Sequence, residues 1–421
     1  MQLRPRCGQN EDEHMAKLAI AGGSPVRTEP WVNWPIWGEE EERRLLEVLH
    51  SGAWGKLYGK VTEEFETAFA AYQGCQECVA TTNGTSALRV ALRAVDVEAG
   101  DEVILPPYTF QATATSIMAV GATPVWADVS ADTYTLDPDA FEAAITPRTR
   151  AVIPVHVAGN PCMMDEITAI AEKAGIAVIE DAAQAHGAVY SGTPVGGIGD
   201  VGCFSFQASK NLSGGEGGAV TTNDRLVAEK AWSLHNCGRI RNEGWYEHAL
   251  LGSNVRMTEF QAAVLLGQLS RAEKQNARRW RNWQILTELL EGVEGVSGVR
   301  VPTAECRSAV HLYLFHYEPR TCGISRAKFL EALGAEGIPA SPGYSPLYRD
   351  AMFVRNNGPS PAERFLGREL DYGKVDCPAC ERICTEEGFW LYQKHFLGPE
   401  SDMEQIAEAI RKVLDNRNEL R

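Results

Sequence analysis

The stretch Cys203-Phe204-Ser205-Phe206-Gln207-Ala208-Ser209-Lys210-Asn211-Leu212-Ser213-Gly214-Gly215-Glu216-Gly217-Gly218 sets a lone lysine between a short apolar strand and a glycine-rich turn. Upstream, Ile179-Glu180-Asp181-Ala182-Ala183-Gln184 closes another apolar strand in carboxylates. This combination suits pyridoxal phosphate chemistry. A lysine amine forms a Schiff base with the cofactor aldehyde, and a carboxylate keeps the pyridine nitrogen protonated so that the ring draws electrons.

Around these motifs, short apolar runs fall at residues 78–82, 102–105, 124–128, 151–156, 177–180, 202–206 and 219–222. Stretches with helical periodicity, such as 86–94 and 164–174, lie between most of them. The alternation predicts an α/β fold whose mainly parallel sheet is sandwiched by helices. Ligands collect beyond the carboxyl ends of such strands. Residues 257–290 read as a long helix with an exposed, charge-rich part at 271–281. A strand at 311–317, an amphipathic helix at 325–336 and a capped helix at 401–414 follow. We therefore expect a disordered extension at 1–17, a large cofactor-binding domain at 18–280 and a smaller C-terminal α+β domain at 281–421. The segment 18–49 is expected to return to the smaller domain.

A formal net charge of -16 opposes general nucleic-acid binding and adsorption to anionic membranes. Ordinary hydrophobic (44%) and charged (23%) shares exclude disordered and fibrous classes. No apolar run reaches the roughly 18 residues of a membrane helix, and the start carries no leader pattern, so a cytoplasmic location is expected. The 11 scattered cysteines read as reduced thiols. Cys377-x-x-Cys380-x-x-x-Cys384 has a spacing that a metal can use, but its fourth ligand would have to come from elsewhere. Thiols buried on a helical face are the simpler reading, and no metal is expected.

Four elements fit one ligand. Thr82-Asn83-Gly84-Thr85-Ser86-Ala87-Leu88 runs from a strand through a glycine turn into a helix. Free amides there, with the Thr85 and Ser86 hydroxyls, suit a phosphate, although Ser or Thr at such a place is more often a plain cap. Pro106-Pro107-Tyr108-Thr109-Phe110 brings an aromatic to a strand end, where Phe110 either lies on a pyridine ring or simply packs. Asp181, followed by Gln184, is costly at the end of a buried strand unless paired, and a pyridinium would pair it. The plain alternative is an Asp that caps the next turn. Lys210, with Ser205 upstream as a further phosphate donor, completes the set. Gly197-Ile198-Gly199-Asp200-Val201-Gly202 matches a dinucleotide fingerprint, yet it leads into a strand where that motif should open a helix.

Taken together, these residues resemble the DegT/StrS family of pyridoxal phosphate-dependent sugar and aminocyclitol aminotransferases, with the fold-type I architecture of aspartate aminotransferase. The resemblance runs from about Leu18 to the C-terminal helix. It passes through Asn83-Gly84-Thr85, Tyr108-Thr109-Phe110, Glu180 to Gly187, Ser205 to Lys210, Gly215 to Gly218 and Ser253-Asn254-Val255-Arg256. It implies that Lys210 is the Schiff-base lysine, Asp181 the partner of the pyridine nitrogen, Gln184 the neighbour of the ring hydroxyl and Phe110 the stacked aromatic. Gly84, Thr85, Ser86 and Ser205 would surround the phosphate, and Asn254 would reach it from the neighbouring subunit of a homodimer. The implied reaction moves an amino group from L-glutamate or L-glutamine to a ketone on a sugar, nucleotide-linked or not, or on a cyclitol. The cofactor alternates between pyridoxal and pyridoxamine phosphate, and Lys210 moves the proton.

Val255 stands where the family often has tyrosine, which leaves the acceptor open. The Gln207-Ala208-Ser209 approach resembles the aminocyclitol branch. Relatives with histidine in place of the lysine are dehydratases, and Lys210 argues against that branch. A dehydratase or epimerase of the same family, or a pyridoxal-binding regulator without catalysis, are the alternatives. His156, Tyr344, Tyr348, Lys394 and His395 are candidates for the acceptor side.

Overall fold

The computed structural model describes residues 17–244, 246–354, 361–367 and 369–420. The first sixteen residues, where the extension was expected, lie outside them. Strands β1 (Glu77–Thr81), β2 (Glu102–Leu105), β3 (Thr123–Trp126), β4 (Thr149–Val152) and β5 (Ala177–Asp181) follow in turn. A short ribbon, β6 (Val189–Tyr190) with β7 (Thr193–Pro194), precedes β8 (Val201–Ser205) and β9 (Gly218–Thr222). Apart from the ribbon, these strands form a 7-stranded sheet in the order β1-β9-β8-β5-β4-β2-β3. Only β9 runs antiparallel to its neighbours in this sheet.

Alternation along each strand feeds two cores. Val103, Leu105, Ile179 and Cys203 enter one, and Ile104, Val178 and Phe204 enter the other. A sheet buried on both faces explains why β2 and β9 are buried at every residue, Glu102 and the two threonines of β9 included. Asp181 ends β5 and Ser205 ends its parallel neighbour β8, which brings both to the same carboxyl edge.

The helix Glu259–Leu289 opens with a Thr258–Gln261 capping box and passes residue 280 unbroken. The expected exposure of 271–281 does not hold throughout. Arg279 is fully buried, its guanidinium donating to Gln393 Oε1 and Asn276 Oδ1, because this face of the helix packs against the C-terminal part of the chain.

β10 (Val296–Gly298), β11 (Leu312–Tyr317) and β12 (Gly388–Tyr392) form a second, antiparallel sheet. Its core joins Phe315, Phe389 and Leu391 to Phe329 and to Ile406 and Ile410 of the helix Ser401–Asp415. Leu18 is enclosed in the same core. The first segment is tied there by the Ala19 amide to Glu336 Oε1 (2.8 Å) and by Arg27 to Asp402 (2.8 Å). Cys377, Cys380 and Cys384 are buried around the short helix Pro378–Arg382, with the Sγ atoms of Cys380 and Cys384 3.7 Å apart.

Candidate active site

A cavity of about 810 Å³ opens at the carboxyl edge of β5 and β8. The helix Gly84–Ala94 begins on its wall, capped by Asn83 Oδ1, which accepts from the Ser86 amide at 2.8 Å. The cap is thus Asn83, and the first-turn amides of Gly84 and Thr85 have no acceptor within the helix. Gly84 permits the close seat of this turn on β8, since a Cβ there would lie 2.7 Å from Ser205 Cβ. Likewise, a Cβ on Gly218 would lie 2.4 Å from the Asn83 carbonyl. The result is a set of amides and hydroxyls from Gly84, Thr85, Ser86 and Ser205 on one side of the cavity.

Opposite in charge and deeper, Asp181 is 6% exposed. Its Oδ2 accepts from Thr113 Oγ1 at 2.8 Å and its Oδ1 from the Ala183 amide at 3.2 Å. Burial raises its pKa, while these two bonds and the charge of Lys210 pull the other way. Lys210 reaches the same cavity, and burial brings its ammonium down to about 8 against the opposing pull of Asp181. Phe110, 55% exposed, presents an uncovered ring to the cavity wall.

The cavity therefore brings together Gly84, Thr85, Ser86, Phe110, Asp181, Gln184, Ser205 and Lys210. Asn254 is not among its lining residues; it is exposed in the single chain and pairs through its backbone with Asn236. Of the acceptor-side candidates, Tyr344 lines the cavity and the other four do not. His156 is fully buried, 3.0 Å from Glu180, and Tyr348 is held in a core with its hydroxyl donating to Glu381. His395 is buried against Trp31, and Lys394 stands beside it on the turn Gln393–Phe396.

Sequence reasoning missed Thr113, His311, Trp390 and Tyr392. Thr113 had a local signal, a hydroxyl one turn beyond Phe110. The other three come from β11 and β12 or their edge, and no local pattern ties those strands to this cavity. The glycine pattern after residue 195 has a structural task. The amides of Gly196, Ile198 and Gly199 all donate to the Glu180 carboxylate, at 2.7–2.8 Å. The motif solvates a buried acid in the protein's own interior.

The model of the DegT/DnrJ/EryC1/StrS aminotransferase family matches residues 35–388. The chain belongs to this family. This aminotransferase is 40% identical over 427 residues to the L-glutamine:2-deoxy-scyllo-inosose aminotransferase of Streptoalloteichus tenebrarius, with 96% of this chain and 99% of the relative covered. Among solved structures, 3-amino-5-hydroxybenzoic acid synthase superposes with a TM-score of 0.82 at 34% identity, covering 94% of this chain and 100% of its own. The aminotransferase from Psychrobacter cryohalolentis gives 0.82 at 32%, covering 92% and 99%. The DegT/StrS family and these neighbours depend in general on pyridoxal phosphate. Among the described residues, no helix of this aminotransferase is long and apolar enough to cross a membrane.

Proposed function

We propose that this aminotransferase binds pyridoxal phosphate and transfers the amino group of L-glutamine to the ketone of a polyhydroxylated carbocycle. The observation that carries the reading is the convergence of Lys210, the buried Asp181 and the donors of the first helical turn on one cavity. The donor set fits the cofactor. A dianionic phosphate suits the Gly84 and Thr85 amides with the Thr85, Ser86 and Ser205 hydroxyls. Asp181, buried and raised by that burial against the pull of Lys210, suits a protonated ring nitrogen.

When bound, the cofactor supplies an aldehyde that captures amines and a ring that accepts electrons from the substrate's α-carbon. The protein's residues do the rest. Lys210 Nζ, with its pKa near 8, is both nucleophile and proton carrier close to neutral pH. Asp181, oriented by Thr113 and the Ala183 amide, would hold the positive charge of the ring, and Phe110 would cover one of its faces. Gln184 has its Oε1 taken by the Ala158 amide and turns its NH₂ toward the cavity.

L-glutamine and a cyclitol ketone are favoured because they are the substrates named for the relative, and because Gln207-Ala208-Ser209 leads into the lysine. We further read residues 18–280 as the cofactor-holding domain and 281–421 as a smaller domain whose β12 and β11 edge supply part of the wall. The working unit in this reading is a cytoplasmic homodimer, with Asn254 completing the partner's phosphate site. The test is spectroscopic half-reaction of purified holoenzyme with L-glutamine, L-glutamate and other donors, then mass spectrometry against keto-cyclitols and keto-sugars. Failure of every donor to bleach the cofactor band would refute transamination.

A further inference from the structure

Two side chains on the cavity wall have their hydrogen-bonding sense fixed from behind. Asn211 Nδ2 donates to the Ala309 carbonyl at 2.6 Å, which leaves Asn211 Oδ1 as the atom 3.2 Å from His311 Nδ1. An amide oxygen only accepts, so Nδ1 carries the imidazole proton. His311 is 5% exposed. Burial, then the charge of Lys210, holds its pKa well below the ordinary value, so the ring is neutral and Nε2 keeps a bare lone pair.

Tyr344 is set the opposite way. The Ala158 amide donates to Gln184 Oε1 at 2.6 Å, so Gln184 presents Nε2 to Tyr344 Oη at 2.9 Å. The phenol oxygen accepts that bond and keeps its own proton to give. Burial pushes its pKa up to about 12, which maintains it as a donor. Both residues line the cavity.

We propose that His311 and Tyr344 are a specificity-determining pair for the amino acceptor: a hydroxyl near the ketone donates to His311 Nε2, and another oxygen of the same molecule accepts from Tyr344 Oη. The proposal rests on the aminotransferase reading of this cavity. The α-carboxylate of the amino donor has no proton to offer a bare imidazole nitrogen, and the side-chain amide of L-glutamine is the competing donor that the donor half-reaction of the His311 variant tests. A polyol offers a proton at each ring carbon that bears a hydroxyl. A ketone lacking the matching hydroxyl leaves His311 buried and unpaired, a penalty that discriminates by about tenfold to a hundredfold.

The first test needs no substrate. In ¹⁵N NMR of histidine-labelled protein at about neutral pH, His311 Nε2 should resonate as an unprotonated nitrogen and Nδ1 as a protonated one; the reverse pattern would overturn the proposal. The second compares 2-deoxy-scyllo-inosose with its analogues lacking single hydroxyls, in the acceptor half-reaction of holoenzyme. Wild type should reject one analogue by about tenfold to a hundredfold. His311→Phe should accept both within about threefold, and His311→Gln, which can offer an amide oxygen, should restore part of the discrimination. Unchanged discrimination in His311→Phe, or equal losses in its donor and acceptor half-reactions, would sink the assignment. Wild type inert toward every ketone would refute the function proposed above, while the NMR result would still decide the tautomer.

Discussion

Lys210 carries the sharpest consequences at the scale of a single residue. Its amine is the nucleophile only when neutral, and the neutral fraction grows as pH rises through a pKa of about 8, well below the roughly 10.4 of a free lysine. Capture of added pyridoxal phosphate by apoenzyme should therefore rise with pH, reach half its maximum near 8 and level off above. A stopped-flow profile still climbing steeply at pH 10 would contradict this. Borohydride should fix the cofactor on Lys210 in peptide maps, and Lys210→Ala should lose turnover by several orders of magnitude. Asp181→Asn should retain the cofactor yet react slowly with amino donors, because an amide cannot hold a pyridine nitrogen protonated; near-normal half-reaction rates would refute its role. That Lys210 and Asp181 face one cavity was legible in the sequence, because a lone lysine after one apolar strand and an acid closing another stand out from their surroundings, although Asp181 also caps the next turn through the Ala183 amide. Tyr344 is among the acceptor-side candidates and lines the cavity, but its donor sense was not legible, and His311 is not among those candidates at all. What they do depends on Asn211 and Gln184 behind them, and a tautomer set by a third residue leaves no pattern in the chain.

Among the elements, the strand and helix order could be read because period-2 and period-3.6 patterns survive in the two-faced core, to within a residue or two at most ends. The run at 151–156 was longer than its strand. β4 stops at Val152, and only Val155 pairs again, as an isolated bridge to Asp181, before the turn Val157–Gly159. The loop from Gly196 to Gly199 shows how a motif can match by letter and differ in cause. Its amides converge on Glu180, which is fully buried and also meets His156 Nε2 at 3.0 Å. Glu180→Gln places an NH₂ among donors and should cost about 2–3 kcal/mol in urea unfolding. Because Glu180 adjoins Asp181, cofactor affinity should fall as well. Stability within about 0.5 kcal/mol of wild type would show that the loop does not depend on this carboxylate.

For the molecule as a whole, the proposed homodimer makes a distinct prediction. Lys210→Ala and Asn254→Ala subunits, each impaired alone at limiting cofactor, should regain activity when mixed, since a two-fold assembly leaves one site in the hybrid with both residues intact. No recovery despite demonstrated subunit exchange would exclude the shared site. The first segment of the chain bears on assembly in another way. Arg27 bonds Asp402 across 375 residues, Ala19 bonds Glu336 across 317, and Trp34 Nε1 donates to the Ala208 carbonyl just ahead of Lys210. On the ribosome, Ala19 and Arg27 must therefore wait until Glu336 and Asp402 have been made. The segment that braces the lysine loop through Trp34 is itself anchored only then, so chains stalled before residue 336 should emerge with the central sheet in place but a poor hold on the cofactor.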